Sequence, residues 1–225
     1  MVVVTGGPCA GKSTALIELA DTLPKLGVEV MRCPELSTLL FEAGAAFPAL
    51  GDRAEQVSWD YEKLRAQLAL EDALQSIAAT SGRPTVILTD RGALDSKAFV
   101  AIGDEQGQRE WEALLARGGW DEASLLGRYD AVLHLVTTAI DAEEHYDGTA
   151  NAARREDVAE ARAQDLRIRH VWAGHPNVCL ISNRNNTFDE KIRRSIDFLC
   201  QIAGLKGARR VDFSMVAAGT ERESE

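Results

Sequence analysis

Apolar residues along the chain follow two alternating rhythms, short unbroken runs and stretches of helical period. Val2–Thr5 is an unbroken run suited to a buried strand. From Lys12 to about Leu23, Leu16, Leu19, Ala20 and Leu23 recur at helical spacing until Pro24 and Gly27 end the pattern. Val28–Cys33 alternates as a second strand and stops at Pro34 and Glu35. A short helix is expected over Ser37–Ala43, then a loop containing Gly44, Pro48 and Gly51. The stretch from Arg53 to Thr80 reads as one long helix. Val57, Tyr61, Leu64 and Leu68 share one side of it, with Leu70, Leu74 and Ile77 nearly opposite, so it is expected to touch two layers.

After a turn at Gly82, PTVILTD is a continuous apolar run ending in Asp90, the pattern of a strand covered on both faces. GQREWEALLARG is helical up to Gly118, and Ala131–Thr137 is a further apolar strand. A polar stretch without period, Glu143–Glu156, leads into a helix to about Trp172. Asn177–Ser182 and Asp189–Ala203 supply the last strand and helix. Such alternation predicts an α/β fold, a parallel sheet with helices on both faces and its ligand at the strand C-termini. Residues 1–205 are expected to form one domain, with a lid over about 143–170, and 206–225 a mobile tail.

Composition narrows the class. A chain of 225 residues with 45% hydrophobic and 27% charged residues can bury roughly 70% of its unfolded surface in one core. No apolar run reaches the roughly 18 residues of a membrane span. Lys and Arg total 25 against 35 Asp and Glu, a net charge of −10, which makes a nucleic-acid backbone a poor first candidate for a partner. The four cysteines, Cys9, Cys33, Cys179 and Cys200, form no C-x-x-C, and no signal peptide precedes Val2; both point to reduced thiols in the cytoplasm.

The chemistry starts in VTGGPCAGKST. Gly6-x-x-x-x-Gly11-Lys12-Ser13 fits the phosphate-binding loop pattern at every fixed position, and it lies between an apolar strand and an amphipathic helix, as the mechanism requires. Glycines let backbone N–H groups approach a polyphosphate closely, and the helix N-terminus adds partial positive charge. Gly6, Gly7, Pro8, Cys9, Ala10, Gly11, Lys12, Ser13 and Thr14 are therefore the candidate nucleotide-binding residues. Lys12 reaches the outer phosphates and Ser13 offers an oxygen to Mg2+.

A second group gathers at strand ends. Asp90 could hold Mg2+ through water, or cap a following helix. Arg91 could clamp an anion or acceptor. Glu35 could take a proton from a hydroxyl that attacks the γ-phosphate, or merely complement a helix N-terminus. Asp95 is a weaker candidate and could equally begin a helix. A third group carries Arg154 and Arg155 in the polar stretch and Arg162 beyond it. Arg155, Arg162 and Arg169 lie seven apart on one helix face, fit to deliver positive charge from a lid or to form a solvated stripe. Asp165 interrupts an apolar stripe, either holding a lid arginine or being satisfied elsewhere. His134 and His175 read as hydrogen-bonded core groups. Asn183 and Arg184 fall where a nucleotide base would lie, and SNRNN lacks the guanine-selecting N-K-x-D, so adenine is the default.

VTGGPCAGKST, CPELSTLL, DRGALDSKAF, RYDAVLHL and VWAGHP, with the spacing between them, resemble the AAA-domain family of P-loop proteins. That family includes relatives of the ribosylnicotinamide kinase of bacterial NAD salvage and the TRPL translocation defect proteins. The resemblance implies a nucleoside-kinase-like fold of strand order 2-3-1-4-5. It also implies Lys12 and Ser13 on phosphates and magnesium, Asp90 and Arg91 as the second motif, and an arginine-bearing lid near Arg154 and Arg155. The segment from Glu35 to Arg53 carries no signature of a particular nucleoside or sugar. The leading expectation is a Mg2+- and ATP-dependent phosphotransferase with a small hydroxyl-bearing acceptor, acting as monomer or homodimer. The alternatives are a nucleotide-dependent switch with slow hydrolysis and an ATPase working on a macromolecule.

Overall fold

The computed structural model describes residues 1–48, 52–101, 105–143, 157–184 and 187–205. In chain order these form β1 (Val2–Thr5), α1 (Lys12–Thr22), β2 (Glu29–Cys33), α2 (Leu36–Glu42), α3 (Arg53–Ser81), β3 (Thr85–Asp90) and α4 (Asp95–Val100). There follow α5 (Glu105–Gly118), α6 (Glu122–Leu126), β4 (Ala131–Leu135), α7 (Val158–Trp172), β5 (Val178–Ile181) and α8 (Phe188–Ile202). The strands make one parallel sheet, as the alternation of elements predicts, in the order β2-β3-β1-β4-β5 that the family resemblance implies.

Alternation along each strand divides the apolar residues between two cores. Val2 and Val4 of β1, with Leu133 of β4 and Ile181 of β5, pack on one face against Leu16 and Leu19 of α1 and Phe198 and Leu199 of α8. Val3 and Val132 point the other way, toward Leu64 and Leu68 of α3, Trp111 of α5, and Ile168 and Trp172 of α7. Both faces are covered, which is why the strands read as continuous apolar runs. The long helix touches strands β2 and β3 as well as helices α2, α4 and α5; Leu64 and Leu68 are buried, whereas Leu70 and Leu74 are only partly covered and Ile77 is 54% exposed, so its second stripe is the more open one.

Register brings the chemistry to one edge. Val4 pairs with Asp90, Thr5 with His134, and Cys33 with Thr89, so the chain leaves β1, β2 and β3 at the same end of the sheet. The Arg91 N–H donates to the Val4 carbonyl at 3.0 Å, tying the turn after β3 to the strand that feeds the glycine-rich loop. Among the described residues no helix is long and apolar enough to cross a membrane. The segment 144–156, with Arg154 and Arg155, and the tail 206–225 lie outside the described residues.

Candidate active site

The turn from β1 into α1 is possible only with glycine at its two fixed positions. Gly6 has φ 139°, and a Cβ there would run into the Leu135 carbonyl of β4. Gly11 caps α1 in the left-handed region at φ 86°, where a Cβ would come within 2.6 Å of the Phe188 ring. Between them every carbonyl accepts a hydrogen bond from the protein itself. Lys12 Nζ donates to Gly6 O at 3.1 Å and to Gly7 O at 2.9 Å. Thr137 Oγ1 donates to Pro8 O, Thr138 Oγ1 to Cys9 O at 3.2 Å, Lys191 Nζ to Ala10 O at 3.4 Å and Ala15 N to Gly11 O at 2.9 Å. Carbonyl dipoles that would repel a phosphate are thus turned onto donors, while the α1 N-terminus presents its first amides in the same place. Ser13 and Thr14 are exposed at that end.

Thr137, Thr138 and Lys191 were not singled out in the sequence, because two threonines after a strand and a lysine on a helix carry no local signal. Lys191 is 4% exposed and also donates to Val136 O and Asn183 Oδ1, at 3.0 and 2.8 Å. Burial pulls its ammonium down to about 8, against a smaller opposing effect of the Asp165 charge. Asn183 is reassigned by these contacts. Its amide donates to Thr137 O at 2.7 Å and Ile140 O at 2.6 Å, and its oxygen accepts from Lys191, so its side chain braces the loop after β4 and is not available to read a base. Arg184 is exposed and stands 3.5 Å from Asp141.

On the other side of the loop, Glu35, Asp90 and Arg91 come together as expected. Arg91 adopts φ 69°, rare for a non-glycine residue, and its Nε donates to Glu35 Oε1 at 2.7 Å. Thr38 Oγ1 donates to the other Glu35 oxygen at 2.9 Å. Glu35 occupies the N-cap position of α2 but accepts from none of its backbone amides there; its carboxylate is shared between Arg91 and the Thr38 hydroxyl. Burial raises the Glu35 carboxyl, but the Arg91 guanidinium, with Lys12 and Thr38, more than offsets this and leaves it below the ordinary carboxylate range. Asp90 moves the other way: burial and the Glu35 charge raise it, against Lys12 and Arg91. Asp90 caps no helix, since α4 begins at Asp95 after Leu94. Beyond Arg91 the wall is aromatic. The Arg91 guanidinium lies 5.4 Å from the Phe99 ring centre, and Lys63 lies 5.4 Å from Trp59 and 5.8 Å from Phe99 while pairing with Asp60 at 2.7 Å. Phe41 and Phe47 pack on Trp59 at 5.7 and 5.1 Å.

The arginines assigned to a lid divide. Arg162 Nε donates to Ala139 O at 2.6 Å and its Nη2 pairs with Glu143; Arg169 Nη2 meets Asp165 Oδ2 at 3.2 Å. Both are held by the protein's own acceptors. Asp165 therefore does hold an arginine, and it is fully buried, accepting also from Gly7 N, Thr137 N and His134 Nε2 at 2.9, 3.0 and 3.1 Å. Burial alone would raise its carboxyl, but the His134 ring and the two amides hold it at about 2. A depressed folded-state value means stability that is present above the ordinary value near 3.8 and is lost as pH falls through about 2. Urea unfolding between pH 5 and pH 2 is expected to show Asp165→Asn losing about 2 kcal/mol less than the wild type over that range.

The remaining candidates are structural. His175 receives Asn177 N at 3.1 Å and contacts Tyr129 O at 2.8 Å, and Asp95 accepts from Thr5 Oγ1 and Gly92 N, both at 2.6 Å, as α4 begins. Burial pushes the Cys33 thiol up to about 12 and that of Cys179 to about 11.

Among the described residues no cluster of three His, Cys, Asp or Glu could hold an ion alone. A nucleotide-bound Mg2+ takes phosphate oxygens as further ligands and needs only one or two protein oxygens. Asp90 Oδ1 is buried without a hydrogen-bond partner and Ser13 is exposed at the head of α1, which fits that smaller demand.

Comparison with known proteins bears on the fold and the family. A search of curated protein sequences finds no match. Among solved structures, the chain is similar to deoxyadenosine kinase from M. mycoides with bound dATP, with a TM-score of 0.55 and 12% identity over 88% of this chain and 97% of that one. At that identity the likeness is one of fold: the same P-loop nucleoside-kinase arrangement of sheet and helices. The family profile described as "AAA domain" matches residues 1–191, most of the chain and all of the loops described above, and the chain belongs to that family of P-loop proteins.

Proposed function

We propose that the chain is a Mg2+- and ATP-dependent phosphotransferase acting on a hydroxyl of a small nucleoside-like or sugar-like metabolite. The observation that carries this reading is the 2.7 Å pair of Arg91 with Glu35 beside Asp90, set where the charge of Lys12 acts on both carboxylates. A carboxylate kept ionised next to the phosphate-binding lysine is what transfer to a hydroxyl requires.

In this scheme Lys12 exchanges the Gly6 and Gly7 carbonyls for β- and γ-phosphate oxygens. Glu35 accepts the acceptor's hydroxyl proton as that oxygen bonds to the γ-phosphorus, and the bond from γ-phosphorus to the β,γ-bridging oxygen breaks to release ADP. Arg91, whose Nη1 is buried without a partner, steadies Glu35 and the incoming phosphoryl oxygens. Ser13 and Asp90 would hold Mg2+, which when bound offsets the charge of the phosphate oxygens.

Charge on the acceptor side narrows the substrate. Arg91 and Lys63 are each already paired with a carboxylate, and Trp59, Phe41, Phe47 and Phe99 offer ring surface beside them. That balance favours an uncharged, ring-bearing alcohol over a phosphorylated one. The likeness in fold to a deoxyadenosine kinase is compatible with such an acceptor. The test is product analysis with γ-labelled ATP and a panel of nucleosides, sugars and their monophosphates. Label is expected on a neutral nucleoside-like acceptor. Release of free phosphate alone, unaffected by every acceptor, would replace this reading with that of a slowly hydrolysing switch.

A further inference from the structure

The peptide between Gly6 and Gly7 is held from both ends. Its N–H donates to Asp165 Oδ1 at 2.9 Å, and its carbonyl accepts from Lys12 Nζ at 3.1 Å. In a trans peptide these two groups point in opposite directions, so fixing one fixes the other. The anchor itself cannot swing. Asp165 Oδ1 also accepts from Thr137 N and lies 3.1 Å from His134 Nε2, and Oδ2 accepts from Arg169. Helix α7 comes so close that a Cβ on Gly7 would lie 2.9 Å from Asp165 Cβ and 3.0 Å from its Oδ1. This accounts for the second glycine of the Gly6–Gly7 pair, a position that the phosphate-loop pattern leaves open.

We infer that Asp165 is a positioning residue for the phosphate loop, locking the Gly6–Gly7 peptide plane and thereby setting where the Lys12 ammonium rests before nucleotide arrives. The inference rests on the nucleotide-binding part of the proposed function and not on the identity of the acceptor. Without the carboxylate, the plane is free to rotate, the Gly6 carbonyl turns toward the phosphate path, and Lys12 loses that carbonyl as a resting acceptor. The cost falls on nucleotide binding. The acceptor side, built from Glu35, Asp90 and Arg91 on other elements, keeps its geometry.

The experiment compares the wild type with Asp165→Ala and Asp165→Asn in the full chain, using three readouts. The first is hydrogen exchange of the Gly7 amide by NMR in nucleotide-free protein. The second is affinity for Mg-ATP and a non-hydrolysable Mg-ATP analogue by calorimetry, and the third is KM for ATP against KM for the acceptor. Asp165→Ala is expected to lose the Gly7 protection and to weaken Mg-ATP binding about tenfold or more, with acceptor KM unchanged. The Asn side chain can keep a neutral oxygen in the Oδ1 place and is expected to fall between the two, about threefold weaker. Should the alanine variant not fold, the asparagine variant decides alone. Wild-type Gly7 exchange or wild-type Mg-ATP affinity in a folded variant overturns the inference, as does a fall in thermal stability with no change in KM for ATP. Mg-ATP affinity that depends on Asp165 in a protein transferring phosphate to no acceptor leaves the positioning role intact and removes the phosphotransferase reading. An active kinase indifferent to Asp165 does the reverse.

Discussion

Replacing Lys12 with methionine is expected to lower phosphoryl transfer by about 10²–10³-fold or more, with the fold retained. Lys12 is 9% exposed, and its ammonium is the donor to both the Gly6 and Gly7 carbonyls. Methionine fills similar volume, but it cannot follow the charge that builds on the γ-phosphate oxygens. The variant leaves two carbonyls at the mouth of the loop facing the anion without the cation that separated them. Arginine is not expected to rescue, because its planar guanidinium cannot replace a compact ammonium seated 2.9 and 3.1 Å from two neighbouring carbonyls. The check is a transfer assay at saturating ATP, calorimetry with Mg-ATP, and a melting curve to establish folding. A rate within about tenfold of wild type would remove Lys12 from the transition state and with it the phosphate-loop assignment.

Much of the sheet was legible because its strands are covered on both faces. Val2–Thr5, Thr85–Asp90 and Ala131–Leu135 each carry an apolar run, and each was recognisable on that ground. The short helices α4 and α6, of six and five residues, were not anticipated as a pair. Neither is long enough to show a helical period, and both are fixed by tertiary contacts. One of these is the pairing of Lys97 on α4 with Glu122 on α6 at 2.7 Å.

The candidate site was legible where local chemistry dictates residue type, and hidden where it depends on distant partners. Gly6, Gly11 and Lys12 follow from what a polyphosphate requires of adjacent backbone. Asp90 and Arg91 follow from standing at a strand end. Thr137, Thr138 and Lys191 hold the carbonyls of Pro8, Cys9 and Ala10 from between 129 and 181 residues away in sequence, a relation that no periodicity records. Asp165 did leave a mark, as a charge within an apolar stripe, but its tie to Gly7 spans 158 residues and emerges only when α7 lies against the loop. Asn183 illustrates the converse. Its place beyond the last strand suggested base recognition, yet its amide is taken up by the carbonyls of Thr137 and Ile140 and by Lys191, because a buried polar side chain must first satisfy its own hydrogen bonds.

Glu35→Gln separates transfer from binding, and a loss of about 10²–10⁴-fold in acceptor phosphorylation is expected with Mg-ATP affinity nearly unchanged. A glutamine oxygen in the Oε1 place can still accept from Arg91 Nε, and the amide nitrogen in the Oε2 place can donate to Thr38 Oγ1 once that hydroxyl turns to accept, so the side chain keeps its place while the basic site disappears. The charge change also acts on Asp90. Its carboxyl is raised by burial first and by the Glu35 charge second, so removing that charge lowers it toward the ordinary value. Asp90 then stays ionised to lower pH, and the acid limb of any magnesium-dependent step is expected to move to more acidic pH in the variant. Glu35 itself is held below the ordinary range, so in the wild type its basic form persists into mildly acidic solution, and the acid limb of transfer belongs to Asp90 before it belongs to Glu35. Profiles of kcat against pH for both proteins, measured with the acceptor that the labelling panel identifies, decide the matter. Transfer within about threefold of wild type would show that the acceptor's proton leaves by another route and that Glu35 serves only to hold Arg91.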